Sequence, residues 1–176
     1  NLAGYNSATL YNYFKDLDHL VYFACMKYLT NYTLGLSKIE SSYTDSRERF
    51  IAIWKFFCEY SFDRPNIFHN IFFNKYSNKL NGTIKEYYEI FPSDIGEHSI
   101  DISDMLKGET LLERNKYILN PMIKDGYIVE SKIDIINELI VYTYQSLLTR
   151  RLLGVIDTTT NSLTSRMIDY INFILK

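Results

Sequence analysis

Residues 3–20 read Ala3-Gly4-Tyr5-Asn6-Ser7-Ala8-Thr9-Leu10-Tyr11-Asn12-Tyr13-Phe14-Lys15-Asp16-Leu17-Asp18-His19-Leu20. Gly4 permits a tight turn that a Cβ would hinder. Asn6 or Ser7 then caps a short helix reaching Tyr13, because a side-chain oxygen there accepts an orphan backbone N–H. Leu10 and Phe14 form the apolar stripe of that helix, and Ser7, Thr9, Tyr11 and Asn12 fall mostly on its other faces. A helix this short is not stable alone and needs a scaffold to lie on. Its exposed surface offers small hydrogen-bonding groups.

The spacing of apolar residues outside this stretch is helical nearly throughout. Asp16 or Asp18 opens a long helix expected to run to about Ser37, with Leu20, Phe23, Ala24 and Tyr28 among its apolar positions. Lys38 to Asp45 is polar and reads as a loop. Thr44 or Asp45 starts the next helix, carrying Phe50, Ile53, Trp54 and Phe57. Asp63-Arg64-Pro65 ends it, since the residue before a proline is pushed out of the helical region. Pro65 also suits the first turn of a helix bearing Ile67, Phe68, Ile71 and Phe72. A break at Ser77 to Gly82 precedes a helix from Thr83 to Phe91, and Ser93 to Asp101 reads as irregular. One helix is expected from Ser103 to Asp125, interrupted at Gly108 or kinked at Pro121, with Gly126 as its C′ residue. Ser131 caps a helix to Gly154, and Thr159 or Thr160 caps the last, which continues to Lys176.

The last two helices are apolar over a wide arc. Ile133, Ile136, Ile140 and Leu147 lie along one side of the first, while Ile135, Leu139, Tyr142, Leu148 and Leu152 extend the apolar surface to another. Leu163, Met167, Ile168, Ile171, Ile174 and Leu175 repeat this in the second. A helix of this kind buries more than one face. Either the pair forms a self-association surface, as in a four-helix bundle between two subunits, or both helices fill the core of one chain.

Composition narrows the classes. Of 176 residues, 47% are hydrophobic, which gives more apolar area than a disordered chain carries. No run approaches the roughly 18 consecutive apolar residues of a membrane span, so no membrane partner is expected. With Gly 7 and Pro 3, the chain lacks the turn residues an all-β fold needs. The formal net charge of −2 gives no bulk attraction to nucleic acid. Cys25 and Cys58 sit inside apolar helical patterns and read as buried free thiols, which fits a reducing cytoplasm. His19, His69 and His98 are too dispersed to suggest a metal site, and no nucleophile–base pattern, phosphate loop or carboxylate pair stands out. Neither an enzyme nor a cofactor is expected. Glu113-Arg114 and Arg150-Arg151 read as solvated or interfacial charges, although Arg150 and Arg151 can also meet an anionic ligand.

The profile of residues 3–20 is that of the second helix of a helix-turn-helix, whose N-terminal residues enter the major groove while surrounding hydroxyls and amides grip phosphates. The stretch resembles the TetR family of bacterial transcriptional regulators, with the pattern Ala-Gly-Val-Ser-x-x-Thr-Leu-Tyr-x-Tyr-Phe-x-x-Lys-x-x-Leu. Ala3, Gly4, Thr9, Leu10, Tyr11, Tyr13, Phe14 and Leu20 match it directly. Tyr5 and Asn6 replace the usual small aliphatic residue and Ser. Leu17 stands where the family usually has Lys, a phosphate contact, and Lys15 lies two residues earlier.

The resemblance covers about the first twenty residues and implies an all-α, TetR-like fold. Residues 1–36 would be the C-terminal part of a helix-turn-helix domain. Residues 37–176 would be a ligand-binding and dimerisation domain. The first half of the DNA-binding domain is then expected upstream of Asn1. The implied DNA-contacting residues are Ser7, Ala8, Thr9, Tyr11, Asn12, Tyr13 and Lys15. The implied partners are double-stranded DNA, a small-molecule effector of unknown identity, and a second copy of the chain through the last two helices. The implied function is a cytoplasmic, ligand-released repressor. An all-α ligand-binding or interaction protein without operator binding is the alternative. The aromatic surplus, Tyr 16, Phe 11 and Trp 1, fits an apolar pocket with polar handles. Its candidate lining residues are Trp54, Phe57, Tyr60, Phe68, Phe72, Tyr76, Tyr87, Tyr88, Tyr142 and Tyr144.

Overall fold

A computed structural model describes residues 14–73 and 82–176 of the chain. These residues form α-helices and short 3-10 turns, with no strand among them. The helices are α1 (Leu17–Lys27), α2 (Thr30–Ser42), α3 (Ser46–Asp63), α4 (Pro65–Phe72), α5 (Thr83–Ile90), α6 (Ile100–Lys107), α7 (Leu111–Lys124), α8 (Ile133–Leu152) and α9 (Thr160–Ile174). Single 3-10 turns lie at Pro92–Asp94 and Glu130–Lys132. The short helix expected up to Tyr13 and most of the break before Gly82 lie outside the described residues.

Several helix starts follow the capping chemistry of the sequence. The Asp16 carboxylate accepts the His19 N–H at 2.8 Å, Asp45 accepts that of Glu48 at 2.9 Å, and the Thr159 hydroxyl accepts that of Ser162 at 3.2 Å. Each satisfies one of the donors a helix start leaves unpaired, a contribution of about 1 kcal/mol. Pro65 opens α4, and Gly126, with φ of +79°, follows the end of α7 as its left-handed terminator.

Other boundaries differ from the sequence expectation. The helix expected from Asp16 to Ser37 is interrupted at Tyr28-Leu29. There the Tyr28 N–H bonds Cys25 O and the Leu29 N–H bonds Met26 O, so the ladder tightens to three-residue steps. The expected loop from Lys38 is helical to Ser42, because the Ser41 and Ser42 hydroxyls bond back onto the Lys38 carbonyl instead of breaking the helix. The single helix expected from Ser103 is two. α6 begins earlier, at Ile100, and a capping box between Thr110 and Glu113 starts α7 afresh after Gly108. Pro121 does not end α7, since it removes one bond only three residues from the helix end. Ser131 is not the cap of α8. It lies in the 3-10 turn, and α8 begins at Ile133 with no side-chain cap.

Helix α3 is the axis of the fold, packing against α2, α4, α7, α8 and α9. Its buried Phe50, Trp54, Phe57 and Phe62 meet Tyr32 of α2, Phe68 and Phe72 of α4, and Tyr144 of α8. Tyr144 packs edge-on against Trp54 at 5.5 Å and tilted against Phe57 at 5.1 Å. Such pairs contribute about 0.5–1.5 kcal/mol each beyond burial alone. Gly35 brings α2 close to α3, since a Cβ there would collide with the Phe56 ring. The boundary expected after residue 36 falls inside α2. Tyr22, Met26 and Leu36 on one side of it share one core cluster with Trp54, Tyr144 and Ile171 on the other.

A polar node ties the first two helices to α5. Asp94 accepts both of its oxygens' bonds from Lys27 Nζ at 3.0 Å, and Tyr87 donates its hydroxyl to the same carboxylate at 2.6 Å. The Thr33 hydroxyl donates to the Asp94 carbonyl at 2.6 Å. Burial works to raise the Asp94 carboxyl, but the bonds from Tyr87, Lys27 and Thr30 outweigh it and hold it below the usual range.

A candidate effector cavity in the aromatic core

The three helices α3, α4 and α7 enclose a small cavity with α2 and α6. Trp54, Phe57 and Ile53 face it from α3, Phe72 from α4, Tyr32 from α2, Met105 from α6, and Leu111, Arg114, Asn115 and Ile118 from α7. Its free volume is about 20 Å³, room for roughly one water molecule. The wall is apolar except on the α7 side.

Two polar systems form that side. The Trp54 indole N–H donates to Asn115 Oδ1 at 2.8 Å, Asn115 Nδ2 donates to Asn137 Oδ1 at 2.9 Å, and Asn137 Nδ2 donates to the Leu112 carbonyl at 3.0 Å. Every link is buried or half-buried, so removing one strands its neighbour at a cost of about 1–3 kcal/mol. The chain fixes the indole and joins α3, α7 and α8.

Arg114 is the second system. Expected at the surface, it is 3% exposed. Its Nε donates to the Gly108 carbonyl and its Nη2 to the Leu106 carbonyl, both at 2.8 Å, while its guanidinium lies 5.1 Å from the Phe72 ring centre. A Cβ at Gly108 would stand 2.9 Å from Arg114 Cγ, so the missing side chain makes this approach possible. The signal for burial was in the sequence. Arg114 lies three residues after Leu111 and four before Ile118, on the apolar stripe of α7. The adjacent Glu113, turned outward into the capping box, made the pair read as surface charge.

The candidate pocket residues do not all converge. Trp54, Phe57 and Phe72 line the cavity. Tyr144 is fully buried behind Trp54 and Phe57 as core. Tyr88 is buried beside Arg114. Tyr60 and Phe68 face a separate outer cleft of about 470 Å³ with Tyr28 and Arg64. Tyr87 faces another, of about 460 Å³, with Phe14, Phe23 and Phe91. Tyr142 is 51% exposed on the outside of α8. Tyr76 lies outside the described residues, as do Ser7, Ala8, Thr9, Tyr11, Asn12 and Tyr13. Lys15 is exposed, and its backbone N–H bonds His19 Nδ1. Met105, Asn115 and Arg114 are cavity residues that the aromatic reading missed.

Cys25 and Cys58 are buried free thiols whose titration burial pushes up. His19 packs edge-on against Phe14 and Phe23, and His98 bonds Glu40 and the Ile95 carbonyl. Among the described residues no group of His, Cys, Asp and Glu is placed to hold a metal ion, and no helix is long and apolar enough to cross a membrane. No family model, no curated protein and no solved structure matches the chain.

Proposed function

We propose that this chain belongs to a DNA-binding transcriptional regulator of the TetR kind, with residues 3–20 in its reading head and the later helices as its sensor and dimerisation region. It acts as a homodimer and is released from a palindromic operator by a small ligand. The observation that carries the reading is the residue 3–20 pattern, Ala-Gly followed by Thr-Leu-Tyr-x-Tyr-Phe. Two features support it. Phe14, the last residue of that block, packs edge-on against His19 and Phe23, and a capped helix starts directly afterwards at Leu17. Ile135, Leu139 and Tyr142, at four- and three-residue steps along α8, are 60%, 49% and 51% exposed. A continuous apolar helix face of this kind suits an isologous contact with a second copy.

The mechanism is a change in spacing. Two recognition helices enter successive major grooves roughly 34 Å apart. A ligand that binds the released arrangement better than the operator-bound one shifts the population by its differential affinity. The core cluster that joins α1 and α2 to the cavity helices, together with the Lys27–Asp94–Tyr87 node, supplies a physical connection between the two ends. Electrophoretic mobility shift of the full-length protein on its own upstream region is the test. A retarded complex that a competitor duplex of unrelated sequence fails to displace supports the reading, and no sequence-selective complex refutes it.

A second reading is favoured by one observation. Leu17 is 64% exposed where a phosphate-binding Lys is expected. A ligand-binding dimer that has lost its operator would keep such a residue, and would bind ligand with no DNA complex.

A further inference from the structure

The guanidinium of Arg114 is a buried cation held by two backbone carbonyls and a ring face rather than by an ion pair. Among the described residues no carboxylate lies within ion-pair reach of it. The end of α6 supplies the Leu106 and Gly108 carbonyls, and a helix C-terminus offers about half an elementary negative charge. Glu109 is the neighbouring carboxylate whose field it meets, and burial pushes that carboxyl up, with Arg114 among the groups opposing the rise. A buried charge left this way is expensive unless another partner meets it.

Beside those carbonyls, the guanidinium has phenols near it, groups that can both donate and accept a hydrogen bond. Burial pushes the phenols of Tyr22, Tyr32 and Tyr88 up, so all three keep their protons, and Arg114 works against each shift. The Tyr88 hydroxyl lies against the guanidinium and has no well-formed hydrogen-bond partner. Arg114 and Tyr32 also line the aromatic cavity. Arg114 is thus the one charged side chain among the described residues lining an otherwise largely apolar space, with the Tyr32 phenol and the Asn115 amide as its polar companions there. That arrangement favours an anion and disfavours a cation.

We propose that the effector cavity takes a small amphipathic carboxylate, its acid group on Arg114 and the neighbouring phenols and its apolar body between Trp54, Phe57 and Phe72. The assignment rests on reading this domain as a ligand sensor and names the ligand class. Because the closed cavity holds about 20 Å³, the apolar body must displace wall atoms. Met105 is the side chain placed to yield, being flexible, unbranched and carried on the short helix α6, which packs chiefly on α7.

The sole tryptophan of the chain, Trp54, sits in the cavity wall and reports occupancy without DNA. Full-length protein is titrated with octanoate, octan-1-ol and octylammonium while Trp54 fluorescence and the thermal midpoint are followed. Octanoate is expected to saturate and to raise the midpoint, with octanol and octylammonium weaker by about ten- to a hundredfold, the value of one charged hydrogen-bonded contact. Met105→Ala should tighten octanoate, and Arg114→Met should remove the preference for it over octanol. Arg114→Lys keeps the charge without the fork and should fall between. If Arg114→Met does not fold, the wild-type preference still decides. Octanol binding as well as octanoate overturns the carboxylate assignment and leaves the sensor reading standing. No response to any of the three, in wild type and in Met105→Ala alike, overturns both.

Discussion

Ile140 and Tyr144 on the inner side of α8 are fully buried, whereas Leu139 and Tyr142 on its outer side remain 49% and 51% exposed. The two faces carry the same kinds of side chain and meet opposite surroundings. The inner face closes the aromatic core against α3, and the outer face has no covering element among the described residues. In α9 the apolar residues divide in the same way. Leu163, Met167 and Ile171 are fully buried against the rest of the chain, and Tyr170 and Phe173 are left 42% and 77% exposed. Both helices therefore keep an exposed apolar surplus, spread over more positions on α8. Hydrophobic periodicity counts apolar faces but does not say whether a neighbour in the same chain or a second chain covers each one.

Truncating each face separates these roles. Tyr144→Ala removes a side chain that touches Trp54, Phe57 and Phe62, and should cost about 3–5 kcal/mol in denaturant unfolding. Tyr142→Ala should change the stability of the isolated protomer by no more than about 0.5 kcal/mol. Equal losses at the two positions would break the distinction.

The outer face is probed next. Leu139→Glu places a charge at the centre of the proposed contact. It should weaken self-association in sedimentation equilibrium by at least about 2 kcal/mol, the scale of an interface hot spot, with the helical circular dichroism signal retained. Asn137→Ala then tests the inner polar chain. It strands Asn115 Nδ2 and removes the second bond on the Leu112 carbonyl, for about 1–3 kcal/mol, and should alter Trp54 emission through Asn115.

The smallest expected effect is on pH dependence, at the α1–α2 end rather than at α8. Asp94 in the folded chain titrates below its ordinary value of 3.8. Its contribution is therefore complete above that value and lost as pH falls through the lower folded-state value. Asp94→Asn should be less stable than wild type at neutral pH. The gap should close in acid, which a series of thermal midpoints against pH would record.

The sequence announced most helix starts because capping is local. Asp16, Asp45 and Thr159 each reach a backbone N–H three residues ahead, and that spacing is visible without a fold. The interruption at Tyr28-Leu29 was not legible, since it involves no proline or glycine and depends on a change in the backbone ladder alone. The pocket was legible in part. Trp54, Phe57 and Phe72 come together because they occupy the inward stripes of α3 and α4. Tyr60, Tyr87 and Tyr142 share their chemistry but lie on other faces, and composition carries no information about direction. Arg114 escaped because its charge outweighed its position on the apolar stripe of α7. Its burial depends on carbonyls of α6 that only the folded chain brings near.

Operator binding by the full-length protein is the central claim, and its salt dependence tests it most directly. Fluorescence anisotropy on a duplex from its own upstream region should give an affinity that falls steeply as salt rises. The slope should be about −0.9 for each phosphate neutralised. Lys15→Ala should flatten that slope by about one unit per protomer. An affinity equal to that for an unrelated duplex, or a slope near zero, would contradict the assignment of residues 3–20 as a reading head.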